Sequence, residues 1–328
     1  MSETGTPSSF VDLTRQPWRT FFGAPLSPDL ERLEAEVAFL GVPFDQATVV
    51  PVIRSGTFGA PRAIREAYTH LSRTLPDGTS AGWFDIEDER MHLEGVRMAD
   101  CGDVMIAAGD SEGTLDRITE AARRIAARVP LVVSVGGDHS IAYPVGRGVM
   151  ERHENVDVVY VDAHPDFRDE WFGSRYSHGS ALRRLSELPN VEHVSLLGLR
   201  VVDRTQYEDM NRLGVAWSTT RQILDEGPAA VVDRVVRSGR KLYVSIDIDV
   251  LDAAIVPGTT LPEPGGISYR QLRELLAAIA GRGEILGFDI VELSSAHDLH
   301  DTTARISAWT VVHFLSAIFD ARDPTRPR

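Results

Sequence analysis

Cysteine is nearly absent from this 328-residue chain: Cys101 stands alone, so no disulfide can form within it. Because secreted proteins commonly rely on paired cysteines, this scarcity favours a reducing compartment. No apolar stretch approaches the roughly 18 residues of a membrane span, and residues 1–9 lack the basic start and apolar segment of a signal peptide. We therefore expect a cytoplasmic protein with no membrane partner.

Basic residues are also few. Lys and Arg number 34 against 48 Asp and Glu, which gives a formal net charge of −14. Binding to a phosphate backbone needs clustered basic residues, so we expect no nucleic-acid partner. Hydrophobic residues make up 43% and charged residues 25%, which is the ordinary composition of a globular protein with a sizeable core.

Apolar segments and amphipathic segments alternate along the chain. Strands are predicted over residues 36–41, 96–100, 131–135, 193–199, 241–246 and 284–291. Helices are predicted after a cap at Asp110 or Ser111 and after caps at Ser218 and Ser268, with a final helix over about 303–319. This alternation predicts an α/β fold whose mostly parallel central sheet has helices on both faces.

The chain has no linker-like break, and we predict an N-terminal arm over residues 1–34 followed by a single domain over residues 35–328. The arm contains Trp18, Phe21 and Phe22. These aromatic residues could anchor it either to its own domain or to a neighbouring subunit.

The densest group of polar residues follows the apolar run that starts at Val156. Asp162, His164 and Asp166 alternate along the chain, so their side chains point the same way as long as the extended geometry persists. Pro165 has no N–H to donate to a central sheet and marks the end of the strand. Three potential metal ligands thus converge at one strand end.

Two further strand ends carry similar residues. Asp247 and Asp249 follow the strand over 241–246, and His139 follows a glycine turn at 136–137. In open parallel sheets, ligands bind outside the carboxyl ends of the strands. Two imidazoles and four carboxylates gathered there would suit Mn²⁺ or a similar ion better than structural zinc. Each fragment alone could be a strand-end cap or a solvated turn, but together they indicate a metal site.

Several motifs, in this order, resemble the ureohydrolase family of arginases and agmatinases. They are GGDH at 136–139, DAHPD at 162–166, SHG at 177–179, SIDIDVLD at 245–252 and PGT at 257–259. The resemblance extends from about residue 41 to the last helix and implies a three-layer arginase-like fold. It also implies two Mn²⁺ ions per subunit, with Ni²⁺, Co²⁺ or Zn²⁺ as alternatives, and a homo-oligomer, either a trimer or a hexamer.

The resemblance assigns ligands to each metal by position. One metal would be held by His139, Asp162, Asp166 and Asp247, and the other by His164, Asp162, Asp247 and Asp249. Asp162 and Asp247 would therefore bridge the two ions.

The same resemblance implies three catalytic roles. Asp166 would orient the attacking water and help to move its proton. Glu292 would pair with the planar guanidinium of the substrate. His178 would act as a proton shuttle. The products would be urea and an amine or amino acid.

Substrate choice depends on the segment between Asp166 and His178. The sequences RYSHG at 175–179 and PEPGG at 262–266 resemble agmatinases more than arginases, so agmatine is the expected substrate. The candidate substrate-binding residues are Arg168, Asp169, Glu170, Trp171 and Arg175. Asp169 or Glu170 would receive the ammonium of agmatine, whereas Arg168 or Arg175 would receive a carboxylate.

Other substrates stay open, because the loop at 46–54 and the segment 294–298 depart from the usual agmatinase pattern. They are guanidinobutyrate, guanidinopropionate, free guanidine and formiminoglutamate. A single-metal deacetylase would leave some of the ligands unused, and a binuclear phosphatase would need basic residues beside the metals. A catalytically silent scaffold subunit is the non-enzyme alternative, and it would not need the full ligand set.

Overall fold

The computed structural model describes residues 13–45, 54–67, 74–75, 77–107 and 109–323. What the sequence predicts for residues 1–12 and for the loop 46–53 lies outside the described residues. Among the described residues, none of the helices combines the length and the apolar character that crossing a bilayer requires.

The described strands and helices follow one another along the chain. The strands are β1 (Thr14–Arg15), β2 (Val37–Gly41), β3 (Thr79–Asp85), β4 (Arg90–Val104), β5 (Val132–Val135), β6 (Val156–Val161), β7 (Val191–Leu199), β8 (Ala216–Thr219), β9 (Arg240–Asp247) and β10 (Gly283–Val291). The α-helices are α1 (Ala60–Ala67), α2 (Ser111–Ala126), α3 (Ala142–Met150), α4 (Ala181–Ser186), α5 (Arg204–Arg212), α6 (Thr220–Glu226), α7 (Pro228–Val235), α8 (Tyr269–Ala280) and α9 (Thr302–Arg322).

The strands form one mostly parallel sheet. In the described part of the chain its order is β1-β4-β2-β5-β10-β9-β6-β7-β8, with β3 paired to β4. Every neighbouring pair from β4 to β8 is parallel, whereas β1 and β3 pair with β4 in the antiparallel direction. The predicted α/β fold is confirmed.

Hydrophobic side chains cover both faces of this sheet. Because neighbouring residues of a strand point to opposite faces, Val159 and Val161 of β6 belong to one buried cluster and Val158 and Tyr160 to the other. The first cluster includes residues of α1, α6, α7, α8 and α9, and the second includes residues of α2, α3, α4 and α5. This gives the three-layer arrangement that the sequence predicts.

Two predicted elements differ from the structure, and one hairpin was not predicted. The strand predicted over 96–100 is the middle of the longer β4, whose first half forms a hairpin with β3. Sequence patterning missed the hairpin because its residues are only partly buried, and such residues show no continuous apolar run. The helix predicted to be capped by Ser218 is instead two short helices, and Thr219 caps the first of them with a reciprocal bond to Gln222.

The described part of the N-terminal segment packs on its own domain. The rings of Phe21 and Phe22 lie 5.5 and 5.4 Å from the ring of Phe39 in β2, whereas Trp18 is 92% exposed. The division into an arm over 1–34 and a domain over 35–328 stays a prediction.

A buried ion-pair cluster joins this segment to the sheet. The Arg65 guanidinium donates to both carboxylate oxygens of Asp100 at 3.0 Å and to Asp103 at 2.6 Å, and it lies 3.9 Å from the centre of the Phe21 ring. The side chain of Arg65 is only 2% exposed. The sequence favours structural ion pairs for Arg54, Arg62 and Arg65. Arg62 and Arg65 form them, whereas the Arg54 guanidinium donates to the Pro257 carbonyl.

We predict that Arg65→Ala lowers the free energy of unfolding by about 3–5 kcal/mol, because it removes the buried cation that pairs with Asp100 and Asp103, and the exposed Arg15, 3.8 Å from Asp103, cannot replace it. Arg62 on the same helix forms an exposed pair with Glu66, so Arg62→Ala should cost less than about 1 kcal/mol. Urea unfolding of both variants measures the difference. Equal losses would show that the buried cluster contributes no more than a surface pair.

Candidate metal centre

Four neighbouring strands at the middle of the sheet carry the site. They are β5, β10, β9 and β6 in spatial order, and all four are parallel, so their carboxyl ends meet at one edge. The register pairs Val161 with Ile246, and Val291 with Asp247. Consequently Asp162, which follows β6, Asp247, which ends β9, and Glu292, which follows β10, lie at one edge of the sheet.

Unusual backbone conformations position several of these residues. Gly136 has a φ of +89°, and a Cβ added there would lie 2.5 Å from Pro61, so the turn before His139 requires glycine. Asp166 and Glu292 also have positive φ values, 43° and 65°. Non-glycine residues adopt this left-handed conformation uncommonly, so the surrounding structure must hold both residues in it.

Three carboxylates surround one nitrogen of His139. Its Nδ1 lies 3.0 Å from Asp162 Oδ2, 3.1 Å from Asp166 Oδ2 and 3.1 Å from Asp247 Oδ2. Burial alone would lower the pKa of His139, but hydrogen bonds with these carboxylates raise it well above the ordinary histidine value. The space between them therefore favours a positive charge, which either a proton or a metal cation can supply.

The other nitrogen of His139 is held by a hydrogen-bond chain. Nε2 lies 2.9 Å from Ser245 Oγ, and the Ser245 hydroxyl donates to Asp289 Oδ1 at 2.6 Å. Since that hydroxyl proton is used on Asp289, the Ser245 oxygen accepts from His139 Nε2–H. In a neutral imidazole this leaves the Nδ1 lone pair facing the three carboxylates, which is the orientation of a metal ligand.

His164 forms a second group. Its Nδ1 lies 2.9 Å from Asp249 Oδ2 and 3.6 Å from Asp162 Oδ1. Burial opposes protonation of His164, but the charges of Asp249 and Asp162 raise its pKa well above the ordinary value. Asp162 therefore lies between the two groups and contributes one oxygen to each.

These two groups fit divalent cations. Ligand atoms bound at about 2.1 Å and at right angles around one ion lie about 3.0 Å apart, close to the separations around His139. Apart from its contact with His139 Nδ1 at 3.0 Å, the fully buried Asp162 Oδ2 has no hydrogen-bond donor among the described residues. Burial, followed by repulsion from Asp249 and Asp162, raises the pKa of Asp247 well above its usual value. Cations would relieve both the missing contact and the repulsion.

The structure thus brings together all of the ligands that the sequence predicts. They are His139, Asp162, His164, Asp166, Asp247 and Asp249. The bridging position of Asp162 is reflected in the geometry, because Asp162 belongs to both candidate groups. Asp247 belongs to the His139 group only, so its assignment as a second bridge stays a prediction, as do the individual roles of the other ligands.

Comparison with known proteins identifies the family. The family model described as Arginase family matches residues 35–316. The chain belongs to the arginase family. A guanidinobutyrase of Pseudomonas aeruginosa is 34% identical over 289 residues, which cover 85% of each protein. An agmatinase of Bacillus anthracis is 29% identical over 271 residues, which cover 82% of this chain and 87% of that protein. The solved structure of proclavaminate amidino hydrolase from Streptomyces clavuligerus has a TM-score of 0.80 at 26% identity and covers 93% of this chain and 98% of that one.

In this arginase-family chain, a cavity of about 370 Å³ opens over the candidate metal centre. Its floor includes Asp247, Asp249 and Glu292, which are at most 4% exposed. Glu292 accepts a hydrogen bond from the His139 backbone N–H at 2.5 Å and another from the Thr260 hydroxyl. Burial raises the pKa of Glu292 to about 7, and the charge of nearby His178 acts in the opposite direction. A guanidinium bound here would favour the ionised carboxylate.

His178 and the predicted substrate-binding residues occupy different places around the cavity. His178, Arg168 and Trp171 line it, and the rings of His178 and Trp171 lie 4.9 Å apart. Asp169, Glu170 and Arg175 are not among its lining residues. The carboxylate of Asp169 pairs with Arg184 at 2.7 Å and with Arg175 at 3.2 Å, so it is already neutralised.

Sequence reasoning missed the residues that support the ligands. Tyr160 stacks on the ring of His139 at 4.3 Å and donates its hydroxyl to Asp166 at 2.9 Å. Ser245 and Asp289 orient His139, and Thr260 holds Glu292. Tyr160, Ser245 and Asp289 lie inside strands, where alternation alone does not distinguish a supporting side chain from a core residue.

We predict that Ser245→Ala lowers the Mn²⁺ affinity of the protein about 10- to 100-fold, because His139 loses the acceptor that fixes its tautomer. Tyr243→Phe is the matched control, since it removes another hydrogen bond to Asp289 but leaves the link between Ser245 and His139. Each metal-free variant is titrated with Mn²⁺, and spectroscopic detection of the ion gives the affinity. An unchanged affinity in Ser245→Ala would contradict the proposed orientation of His139.

Proposed function

We propose that this chain is a metal-dependent hydrolase that cleaves the guanidino group of a small molecule into urea and an amine. The observation that carries the proposal is the arrangement of the cavity floor. Buried carboxylates and imidazoles suited to cations lie beside Glu292, whose carboxylate is held at both oxygens and exposed to the cavity. Membership of the arginase family supports the same reaction.

The residues that would hold two cations follow from the two groups. His139, Asp162, Asp166 and Asp247 would hold one, and His164, Asp162, Asp247 and Asp249 the other. We propose Mn²⁺ as the ion, with Ni²⁺, Co²⁺ or Zn²⁺ as alternatives, because the donor set is rich in oxygen and contains no thiolate. When bound, such ions would lower the pKa of a coordinated water molecule.

The chain's own residues would prepare the substrate for attack. Glu292 would pair with the guanidinium through charge-assisted hydrogen bonds and fix the plane of the group over the floor. Asp166, oriented by the Tyr160 hydroxyl, would accept a proton from the attacking water and pass it to the leaving amine. His178, which lines the cavity, would exchange protons between the site and solvent.

The identity of the guanidino compound is a finer question. The sequence favours agmatine, and the comparisons include an agmatinase and a guanidinobutyrase at similar identity. Agmatine, guanidinobutyrate, guanidinopropionate, free guanidine and formiminoglutamate therefore all belong in the first experiment. We also propose that the protein is cytoplasmic and that it forms a homotrimer or homohexamer; both proposals depend on the sequence alone.

We predict that protein loaded with Mn²⁺ releases urea from at least one guanidine, and that removal of metal by a chelator abolishes the release. A panel of arginine, agmatine, guanidinobutyrate, guanidinopropionate and free guanidine, with each metal ion reloaded separately, identifies the substrate and the ion. Formiminoglutamate should be followed as formamide. No product from any compound with any ion would favour the silent scaffold instead.

A second prediction concerns single ligands. Asp162→Asn and Asp247→Asn should abolish turnover and reduce the amount of bound metal, because each removes a charge that offsets the cations. His178→Ala should retain the metal and lower kcat by about 100-fold or more, as expected for a lost proton-transfer group. Asp116→Asn, which alters an exposed pair with Arg147, serves as the control. Wild-type turnover in either ligand variant would remove that residue from the site.

A further inference from the structure

The mouth of the cavity differs from its floor. The floor is anionic and buried, whereas the mouth includes Val201 and Val202, which are 37% and 38% exposed, together with Arg168 and Trp171. A substrate whose guanidinium lies on Glu292 would extend its other end toward this mouth. The chemistry of the mouth therefore decides which tail the substrate carries.

Arg168 is held in place at this mouth. Its Nη2 lies 2.5 Å from Asp203 Oδ2, its guanidinium carbon lies 5.1 Å from the centre of the Trp171 ring, and its backbone N–H donates to Gly179 at 3.1 Å. Trp171 packs in turn on Gly179, where an added Cβ would lie 2.6 Å from the indole. An arginine fixed in this way loses little side-chain entropy when it binds a ligand.

The carboxylate of Asp203, which pairs with Arg168, has few hydrogen-bond acceptor sites left. Asp203 caps α5 by accepting from the Gln206 backbone N–H at 2.9 Å, and it also accepts from the Gln206 side chain at 2.9 Å. Burial raises the pKa of Asp203, but these hydrogen bonds and the charge of Arg168 outweigh it and lower the pKa below its usual value. Arg168, by contrast, has five N–H donors, and only Nη2 is used on Asp203. Arg168 therefore offers unused donors to the cavity, whereas Asp203, which also lines it, offers few unused acceptors.

We propose, on the basis of the proposed function, that the substrate is a linear guanidino acid whose carboxylate binds Arg168 at the mouth of the cavity. The apolar Val201, Val202 and Leu261 would contact its methylene chain. An ammonium in the same position would meet the like charge of Arg168. Asp203 lines the cavity, but its carboxylate already accepts from Gln206 and pairs with Arg168. Asp169 and Glu170, the ammonium partners that the sequence suggests, do not line it, and Asp169 is paired with two arginines.

Three compounds that share the guanidino group and a short carbon chain test this choice. They are 4-guanidinobutyrate, which has an anionic tail, butylguanidine, which has a neutral tail, and agmatine, which has a cationic tail. With Mn²⁺-loaded wild-type protein, kcat/KM should fall in that order. Guanidinobutyrate should exceed butylguanidine by about 10- to 100-fold, the size of a charged hydrogen bond, mainly through KM.

Variants of Arg168 separate recognition of the tail from the reaction itself. Arg168→Gln should remove most of the advantage of guanidinobutyrate and change butylguanidine less than about threefold, because the neutral tail makes no ion pair. Arg168→Lys should restore part of the advantage, and Arg168→Glu should make agmatine the best of the three. Arg212→Gln is the control, since Arg212 also pairs with an aspartate on α5 but does not line the cavity. Thermal unfolding of each variant checks that the fold is kept.

Equilibrium binding keeps the inference separate from the proposed function. Calorimetry with Mn²⁺-loaded His178→Ala, in which turnover should be slow, gives the affinity of each compound without relying on urea release. Absence of urea from every compound would overturn the proposed function. The measured affinities would still show which tail the cavity prefers. Three results would overturn the role of Arg168. They are equal affinities for agmatine and guanidinobutyrate, no binding of guanidinobutyrate, and an equal loss of affinity for all three compounds in Arg168→Gln.

Discussion

Repulsion between buried carboxylates is the constraint on which the rest of the site depends. Asp162, Asp247 and Asp249 are at most 3% exposed. Burial and repulsion from Asp249 raise the pKa of Asp162 and of Asp247, whereas the neighbouring His164 outweighs burial and lowers the pKa of Asp249. A core that only had to be stable would not collect such charges, because each loses its hydration on folding. The proposed cations would explain their presence, because bound metal would offset these charges. Stability of this region and occupancy by metal should therefore be linked, since a ligand that binds only the folded state stabilises it.

The register of the central sheet extends this constraint into the core. Ser245 of β9 and Asp289 of β10 are directly paired residues of neighbouring strands, so the hydrogen bond between them is set by the alignment of the sheet. Tyr243, two residues earlier on β9, points to the same face and donates to the same Asp289. The orientation of His139 is thus fixed by strand pairing rather than by a loop. A one-residue slip of β10 would point Asp289 to the other face and remove the support of His139.

The sequence predicts the floor of the site well and its surroundings less well. Ligands such as Asp162 and Asp247 follow apolar strands directly, and parallel strands place their carboxyl ends at one edge, so a local pattern determines a spatial position. Asp289 and Ser245 could not be found in this way, because their function depends on which strands are neighbours, and strand order is not encoded in local alternation. The hairpin of β3 and β4 was missed for a related reason, since its side chains are only partly buried and lack a clear period. Among the mouth residues, Asp169 was proposed from proximity in sequence, but its pairing with Arg184 depends on the position of α4.

Floor and mouth also differ in how strongly the fold determines them. The floor residues follow four strands whose positions are fixed by backbone hydrogen bonds, so proteins that share the fold can share the reaction. The mouth is formed by connecting segments such as the one that carries Arg168, and single substitutions there change the charge without moving the strands. This explains why overall identity does not identify the substrate: a guanidinobutyrase at 34% and an agmatinase at 29% are nearly equidistant from this chain. The two substrates carry the same guanidino group and differ in the charge of the tail, so the discriminating energy must come from charged or polar groups near the mouth. Arg168 is held there by Asp203 and Trp171, and its unused donors favour a carboxylate over an ammonium by the same electrostatics that make the floor favour a cation.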